Sequence, residues 1–232
     1  MKQQMAAIEQ TLDGLSLQDR IRAALQDDIN QGRLRPGEAL KEQALCERFH
    51  ASRTPVREAI LLLSAHGLID IIPRSGIYVK RLDARKIIVI MEGLAELEGV
   101  LARLAAQRSS KAQQQQMQAY LAQMRVLAQQ ADSSAYAQAN AALHDLIYQS
   151  SANEFIVEQT RHARLRIAPY RTQMFAKPER LMQSQIEHEQ VVQAIADGDG
   201  EAAAKVMRLH ISAGGQAFVE AVLCAPNWEV TT

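Results

Sequence analysis

Residues 51–60 read ASRTPVREAI, and the reading of this stretch decides the fold. Thr54-Pro55 suits the first turn of a helix, where proline's missing amide costs nothing and where Ser52 or Thr54 can cap. Arg53 and Arg57 flank that turn. A helix N-terminus carries partial positive charge, so cations there are disfavoured unless something negative lies outside the chain. A nucleic-acid duplex would supply it.

The flanking sequence places that turn in a larger pattern. Upstream, Ser16 and Asp19 sit at capping-box positions before Leu17, Ile21, Leu25 and Ile29, which share one helical face. Gly32 and Pro36-Gly37 end this helix, and residues 1–15 read as a loose arm. A second short helix follows, with Leu40, Ala44 and Leu45 inward and His50 in the turn. The third helix, with Pro55 in its first position, carries Val56, Ile60 and Leu63 to a stop at Gly67. The period then changes. LIDII (68–72) and IYVKRL (77–82) read as strands around Pro73-Arg74-Ser75-Gly76, a hairpin with a basic tip. Three helices and a hairpin make a winged helix-turn-helix, assigned to residues 1–82.

Between residues 48 and 81 the basic residues are Arg48, Arg53, Arg57, Arg74, Lys80 and Arg81, against Glu58 and Asp70. That is a local +4 in a chain of formal net charge zero. In a helix-turn-helix the first residues of the recognition helix meet base edges, and arginine pairs bidentately with guanine. Ser52, Arg53, Thr54 and Arg57 are therefore the expected DNA contacts. Arg74 and Gly76 at the hairpin tip are placed to reach the backbone or the minor groove.

From residue 84 onward the pattern is helical throughout. Segments at about 84–107, 110–130, 134–150, 154–175, 178–197 and 200–222 predict an all-α antiparallel bundle over residues 83–232. The fold class is thus mainly α. The composition agrees, with 47% apolar but only 4% aromatic residues. Cys46 and Cys224 have no metal-like or redox-like spacing, which fits a reducing compartment. No apolar run is long enough to span a bilayer, and the first residues lack a signal-peptide core. A cytoplasmic protein without membrane contact is expected.

Three histidines of the second half stand out. His144 neighbours Ala141 and Ile147, with Asn140 one turn before it. His188 shares a stripe with Leu181, Val192 and Ile195. His210 shares one with Ala203, Val206, Ala213 and Ala217. Each lies on the inward face of a different helix. They are either core histidines or a convergent metal site, since imidazole is the commonest metal ligand. His188 and His210 each lie about 11 residues from the turn near residue 199. At 1.5 Å per residue that is a common height of ~16 Å on antiparallel neighbours.

The run EQALCERFHASRTPVREAILLLSAHGLIDIIPRSGIYV resembles the DNA-binding domain of the GntR family of bacterial transcriptional regulators. The resemblance implies DNA contacts at Ser52, Arg53, Thr54, Arg57 and around Gly76. The family often has glycine where this chain has His50, and a further family contact, an arginine, falls on Gln43. Residues 84–222 resemble the all-helical FCD effector domain of the FadR subfamily. Many members hold a divalent metal with an Asp-x-x-Phe-His segment and a later histidine pair. The matching residues are Asn140, His144, His188 and His210, with Leu143 in the Phe position. Zinc is the expected ion, and nickel is compatible. Relatives often read E-V-R-R-x-L-E in the first helix of the domain, where an arginine helps bind carboxylate effectors. This chain has Glu92-Gly93-Leu94-Ala95-Glu96-Leu97-Glu98, so Arg161, Arg164, Arg166 or Arg171 would have to supply the cation.

The resemblance implies a ligand-responsive transcriptional regulator and not an enzyme. It would be a homodimer on a palindromic double-stranded DNA operator, acting as a repressor released by a small carboxylate bound near the metal. Two other readings remain open. One is an architectural DNA-binding dimer without effector. The other is a metal-dependent hydrolase fused to a DNA-binding domain. Against the latter, Asp145, Glu187 and Glu189 adjoin histidines in sequence and are expected to point away from them.

Overall fold

A computed structural model describes residues 16–170, 175 and 177–223, with side chains up to 217. The arm at 1–15, Arg171 and Cys224 lie outside the described residues. The chain divides into two compact units, Met1–Arg81 and Leu82–Thr232.

In the first unit, α1 (Leu17–Asn30) begins at Ser16, whose Oγ accepts the Asp19 amide at 3.2 Å. It buries Ile21, Leu25 and Ile29, whereas Leu17 at its start is exposed. Next come β1 (Ala39–Leu40), α2 (Glu42–Phe49) and α3 (Arg53–Ala65), then β2 (Ile69–Ile72) and β3 (Gly76–Val79). The hairpin gains a third strand that the periodicity did not reveal. Sheet order is β1-β3-β2, all antiparallel, with Leu40 opposite Ile77 and Asp70 opposite Tyr78. Two residues are too short to display an alternation, so Leu40 read as helical. Ala44, expected inward, is exposed, and Leu45 alone anchors α2 in the core. Helix α3 starts two residues before Pro55 and packs Val56, Ala59, Ile60 and Leu63 inward.

His50 closes α2 with φ of 49°, a left-handed conformation. Glycine reaches it at least cost, while histidine is among the side chains found there more often than most.

The second unit runs α4 (Ala84–Arg108), α5 (Lys111–Gln129), α6 (Ser133–Ser150), α7 (Glu154–Ile167), a 3₁₀ turn (Ala168–Tyr170), α8 (Pro178–Ala196) and α9 (Gly200–Leu223). Each break has a local cause. Asp83, Asp132 and Asn153 accept cap amides, and Ser110 with Gln113 forms a complete capping box. Helix α7 ends at Ile167, short of the expected residue 175, because Pro169 cannot continue it. Asp199 caps α9 through the Ala202 amide at 2.9 Å, after Gly198 turns the chain at φ 72°. Leu94, Leu121, Met124, Leu143, Val192, Ala203 and Met207 belong to one shared core. No described helix is long and apolar enough to cross a membrane.

Candidate functional site

The first turn of α3 carries the four side chains expected at DNA. Ser52 is the N-cap by position, but its hydroxyl makes no cap hydrogen bond. Arg53, Thr54 and Arg57 are exposed. Arg74 occupies the tip of the β2–β3 hairpin with φ of 63°, and Gly76 follows at 147°, a conformation open only to glycine. Tyr78 braces the tip through Ser75 Oγ at 3.0 Å.

The basic count over residues 48–81 overstates the free charge. Arg57 Nε donates to both oxygens of Glu42, at 2.9 and 3.0 Å, and Arg48 pairs with the buried Asp28. Both acids lie outside the counted segment. Lys80 meets Asp70 at 2.8 Å. The helix-start arginine that posed the opening conflict is thus partly answered within the unit. Gln43, in the position of a further contact, bonds Glu47 at 3.2 Å.

In the second unit His144 (α6), His188 (α8) and His210 (α9) converge, with one ligand atom from each lying within 4.8 Å of the others. Their exposures are 1%, 0% and 6%. Each ring is oriented from its Nδ1 side. His188 Nδ1 lies 2.7 Å from the Ser184 carbonyl, which can only accept, so Nδ1 carries the proton. His210 Nδ1 lies 2.7 Å from Glu187 Oε2. His144 Nδ1 lies 2.8 Å from Glu98 Oε2 and 2.9 Å from Arg164 Nη2. The guanidinium donates to Glu98 through Nε and one Nη2 hydrogen at 2.8 Å each, and its second Nη2 hydrogen faces His144 Nδ1, so the ring has both an acceptor in Glu98 and a donor in Arg164 on that side. All three Nε2 lone pairs are left unclaimed on the Nδ1–H tautomer. Those of His144 and His188 face each other at 3.1 Å. Two lone pairs at that distance repel unless a cation or a proton lies between them.

The electrostatics keep His144 and His188 uncharged, the form in which an imidazole nitrogen can ligate a metal. Burial pushes the His144 imidazole well below its usual range, and the Arg164 guanidinium pushes it further. Burial and the other two histidines depress His188 likewise. Burial would raise the Glu98 carboxyl, but Arg164 and His144 outweigh it and keep it ionised. For Glu187, burial is outweighed by His210 and Arg180. Neutral imidazoles held by ionised carboxylates are the arrangement that orients metal-ligating histidines. Asn140, one turn before His144, is 5% exposed, and its buried Oδ1 has no hydrogen-bond partner. Three nitrogens and a carbonyl-type oxygen suit zinc or nickel, so the residues present fit a divalent ion.

Asn140, Glu98, His144, Arg164, Arg180 and His210 line a cavity of about 50 Å³, closed by Met91, Leu94, Ile167, Phe175, Ile211 and Gly214. Glu98, Glu187 and Arg180 were not among the expected site residues. Glu187 turns from its neighbour His188, as expected, but meets His210 of the next helix, which sequence spacing did not reveal. Glu98 carried a signal, a carboxylate within the apolar stripe of Leu94, Ala95, Leu101 and Ala102. Of the α7 arginines, Arg164 reaches the site, while Arg161 pairs with Asp145 at 3.3 Å.

Comparison with known proteins agrees with both units. Residues 17–79 match the family described as bacterial regulatory proteins, gntR family, and residues 90–213, more than half of the chain, match the FCD domain. The transcriptional regulator LutR of Bacillus subtilis is 29% identical over 79% of this chain and 93% of its own length. The galactonate operon transcriptional repressor of Escherichia coli is 28% identical over 82% and 91%. The structure of McbR/YncC from E. coli superimposes with a TM-score of 0.74 at 22% identity, over 85% of this chain and 94% of the other. The chain belongs to the GntR family of bacterial transcriptional regulators, with an FCD domain following its winged helix-turn-helix.

Proposed function

We propose that this regulator is a homodimeric repressor released from a palindromic operator by a small carboxylate, which binds beside a divalent metal in the helical unit. The observation that carries the reading is the convergence of three buried histidines, with one ligand nitrogen of each within 4.8 Å of the others. His144, His188 and His210 would hold the ion, with Asn140 as an oxygen ligand. Zinc is the first choice and nickel the second. When bound, the ion supplies a Lewis-acidic position for a carboxylate oxygen. Glu98 and Glu187 keep the imidazoles turned inward, and Met91, Leu94 and Ile211 exclude water.

Ser52, Arg53, Thr54 and Arg57 would contact the major groove, with Arg74 and Gly76 at the backbone or minor groove. The hydrolase reading is disfavoured for a physical reason. The carboxylates beside the histidines are held ionised well below the range in which a general base works, and each is locked to an arginine.

The test combines metal analysis with operator selection. The purified protein, incubated with zinc and acetate and dialysed against acetate buffer, should retain one ion per chain by mass spectrometry, and His144→Ala should lose it. A sequence selected from random duplexes should be palindromic and bind a dimer. A wild type that retains no more metal than His144→Ala overturns the metal centre. A selected site without two-fold symmetry overturns the operator.

A further inference from the structure

We infer that Asn140 makes metal retention depend on an anion, so that the metal and a carboxylate load as a pair, each raising the other's affinity. This rests on the metal reading above and concerns how the same site is regulated.

The argument is one of charge. His144, His188 and His210 are neutral ligands, and Asn140 is neutral as well. The two nearby carboxylates do not offset the ion, because each already has its own cation. Glu98 is gripped by Arg164 through Nε and Nη2 at 2.8 Å each. Glu187 is gripped by Arg180 through Nη1 and Nη2, again at 2.8 Å each. The surroundings sum to zero, and a bound dication would add two uncompensated charges in a site where no ligand residue exceeds 6% exposure. Burying an unpaired charge is costly, and an aspartate in place of Asn140 would remove half of it. Without that aspartate, the compensating charge must come from a ligand.

The cavity is prepared for one. Arg180 lines it, and its Nε is a buried donor with no acceptor among the described residues. Asn140, on the same cavity, has a buried Oδ1 with no donor among the described residues. An orphaned charged donor costs the full desolvation of the group, and a carboxylate oxygen is the partner it lacks. The occupant is a carboxylate, and a void of about 50 Å³ accommodates a group of that size. Coupling of two ligands is reciprocal, so the factor by which the anion strengthens metal binding is the factor by which the metal strengthens anion binding.

Cobalt(II) is the probe, because its visible absorption reports both binding and coordination. The full-length protein, stripped of metal with a chelator, is titrated with Co²⁺ in a non-coordinating buffer at fixed ionic strength, with and without acetate. Acetate chelates free Co²⁺ too weakly to compete. The wild type should bind Co²⁺ about tenfold or more tightly with acetate, within the usual span of coupling between two ligands. The absorption should change as the anion enters. Asn140→Asp should bind Co²⁺ more tightly than wild type without acetate, and its acetate dependence should shrink to about threefold or less. Equal wild-type affinity with and without acetate overturns the inference while leaving the metal centre standing. Binding no tighter than in His144→Ala overturns the metal centre, and the inference with it. The wild-type arm decides even if the aspartate variant does not fold.

Discussion

Glu98 shows what a single side chain can hold in place. It is fully buried, takes two bonds from Arg164, and lies 2.8 Å from His144 Nδ1. Glu98→Gln would leave the Arg164 guanidinium without its counter-charge. Removing one partner of a buried pair costs about 3–5 kcal/mol. We expect a loss of that size in urea unfolding of the helical unit, with a larger loss than for the paired replacement Glu98→Leu/Arg164→Met. Equal losses would mean that the charge pair is not what the site depends on. Asp28 works similarly in the first unit. Burial would raise its carboxyl, but hydrogen bonds from Arg48 and Arg33 outweigh that and lower it. A lowered folded value stabilises the unit above the unfolded value of about 3.9 and loses that contribution as pH falls through the folded value. Below about pH 4, wild type should therefore lose stability that Asp28→Asn never had. The two should converge in acid and separate toward neutrality, as followed by circular dichroism. At this scale the sequence was half legible. The histidines stood on apolar stripes that could be counted. The acids and arginines that orient them come from other helices, and only packing brings Glu98 of α4 to Arg164 of α7 or Glu187 of α8 to His210 of α9.

Elements were more legible than contacts, because periodicity is local and contacts are not. The capped starts of α1, α4, α5 and α7 follow from Ser, Asp and Asn at positions any reader can mark. The misses also have local causes. β1 is two residues long and shows no alternation, and Pro169 ends α7 short of the residue 175 that periodicity predicts. What periodicity cannot show is how closely two helices approach. A Cβ on Gly99 of α4 would lie 2.9 Å from Arg208 Cγ and 3.2 Å from the Ala204 carbonyl of α9. The backbone oxygen cannot step aside as a flexible side chain can. Gly99→Val should therefore destabilise the helical unit by about 1–3 kcal/mol in urea unfolding. If valine is accommodated at no cost, the α4–α9 contact is looser than described. Helix α3 makes its prediction on the outside. Arg53 is exposed at its first turn, and Arg53→Ala should weaken binding to the selected operator by roughly tenfold or more, as loss of a bidentate guanine contact does. Changing the matching base pair should then cost the variant little. A variant that keeps full affinity at equal salt would remove α3 as the reading helix.

The whole molecule is two compact units, and among the described residues the histidine cluster lies in the helical one. A ligand that binds a folded state and not the unfolded one stabilises what it binds by mass action. At a free concentration one hundred times its dissociation constant, that is about 2.7 kcal/mol. Zinc should therefore raise the melting of the helical unit and leave that of the winged-helix unit where it was. Calorimetry of the full chain in acetate buffer with zinc, then with excess chelator, should show one transition moving and the other fixed. Residues 82–232 expressed alone should reproduce the moving transition, since that unit has its own core and takes no strand from the first. The fragment should also elute as a dimer, which would place self-association in the helical half. Two transitions that shift together would mean that the units unfold as one, and the fragment would then be expected to melt lower than it does within the full chain. A fragment that melts at an unchanged temperature with and without zinc would instead place the cluster among ordinary core histidines. In that case the facing Nε2 atoms of His144 and His188 must share a proton, and His144→Gln, which can donate a hydrogen bond to His188, should be tolerated.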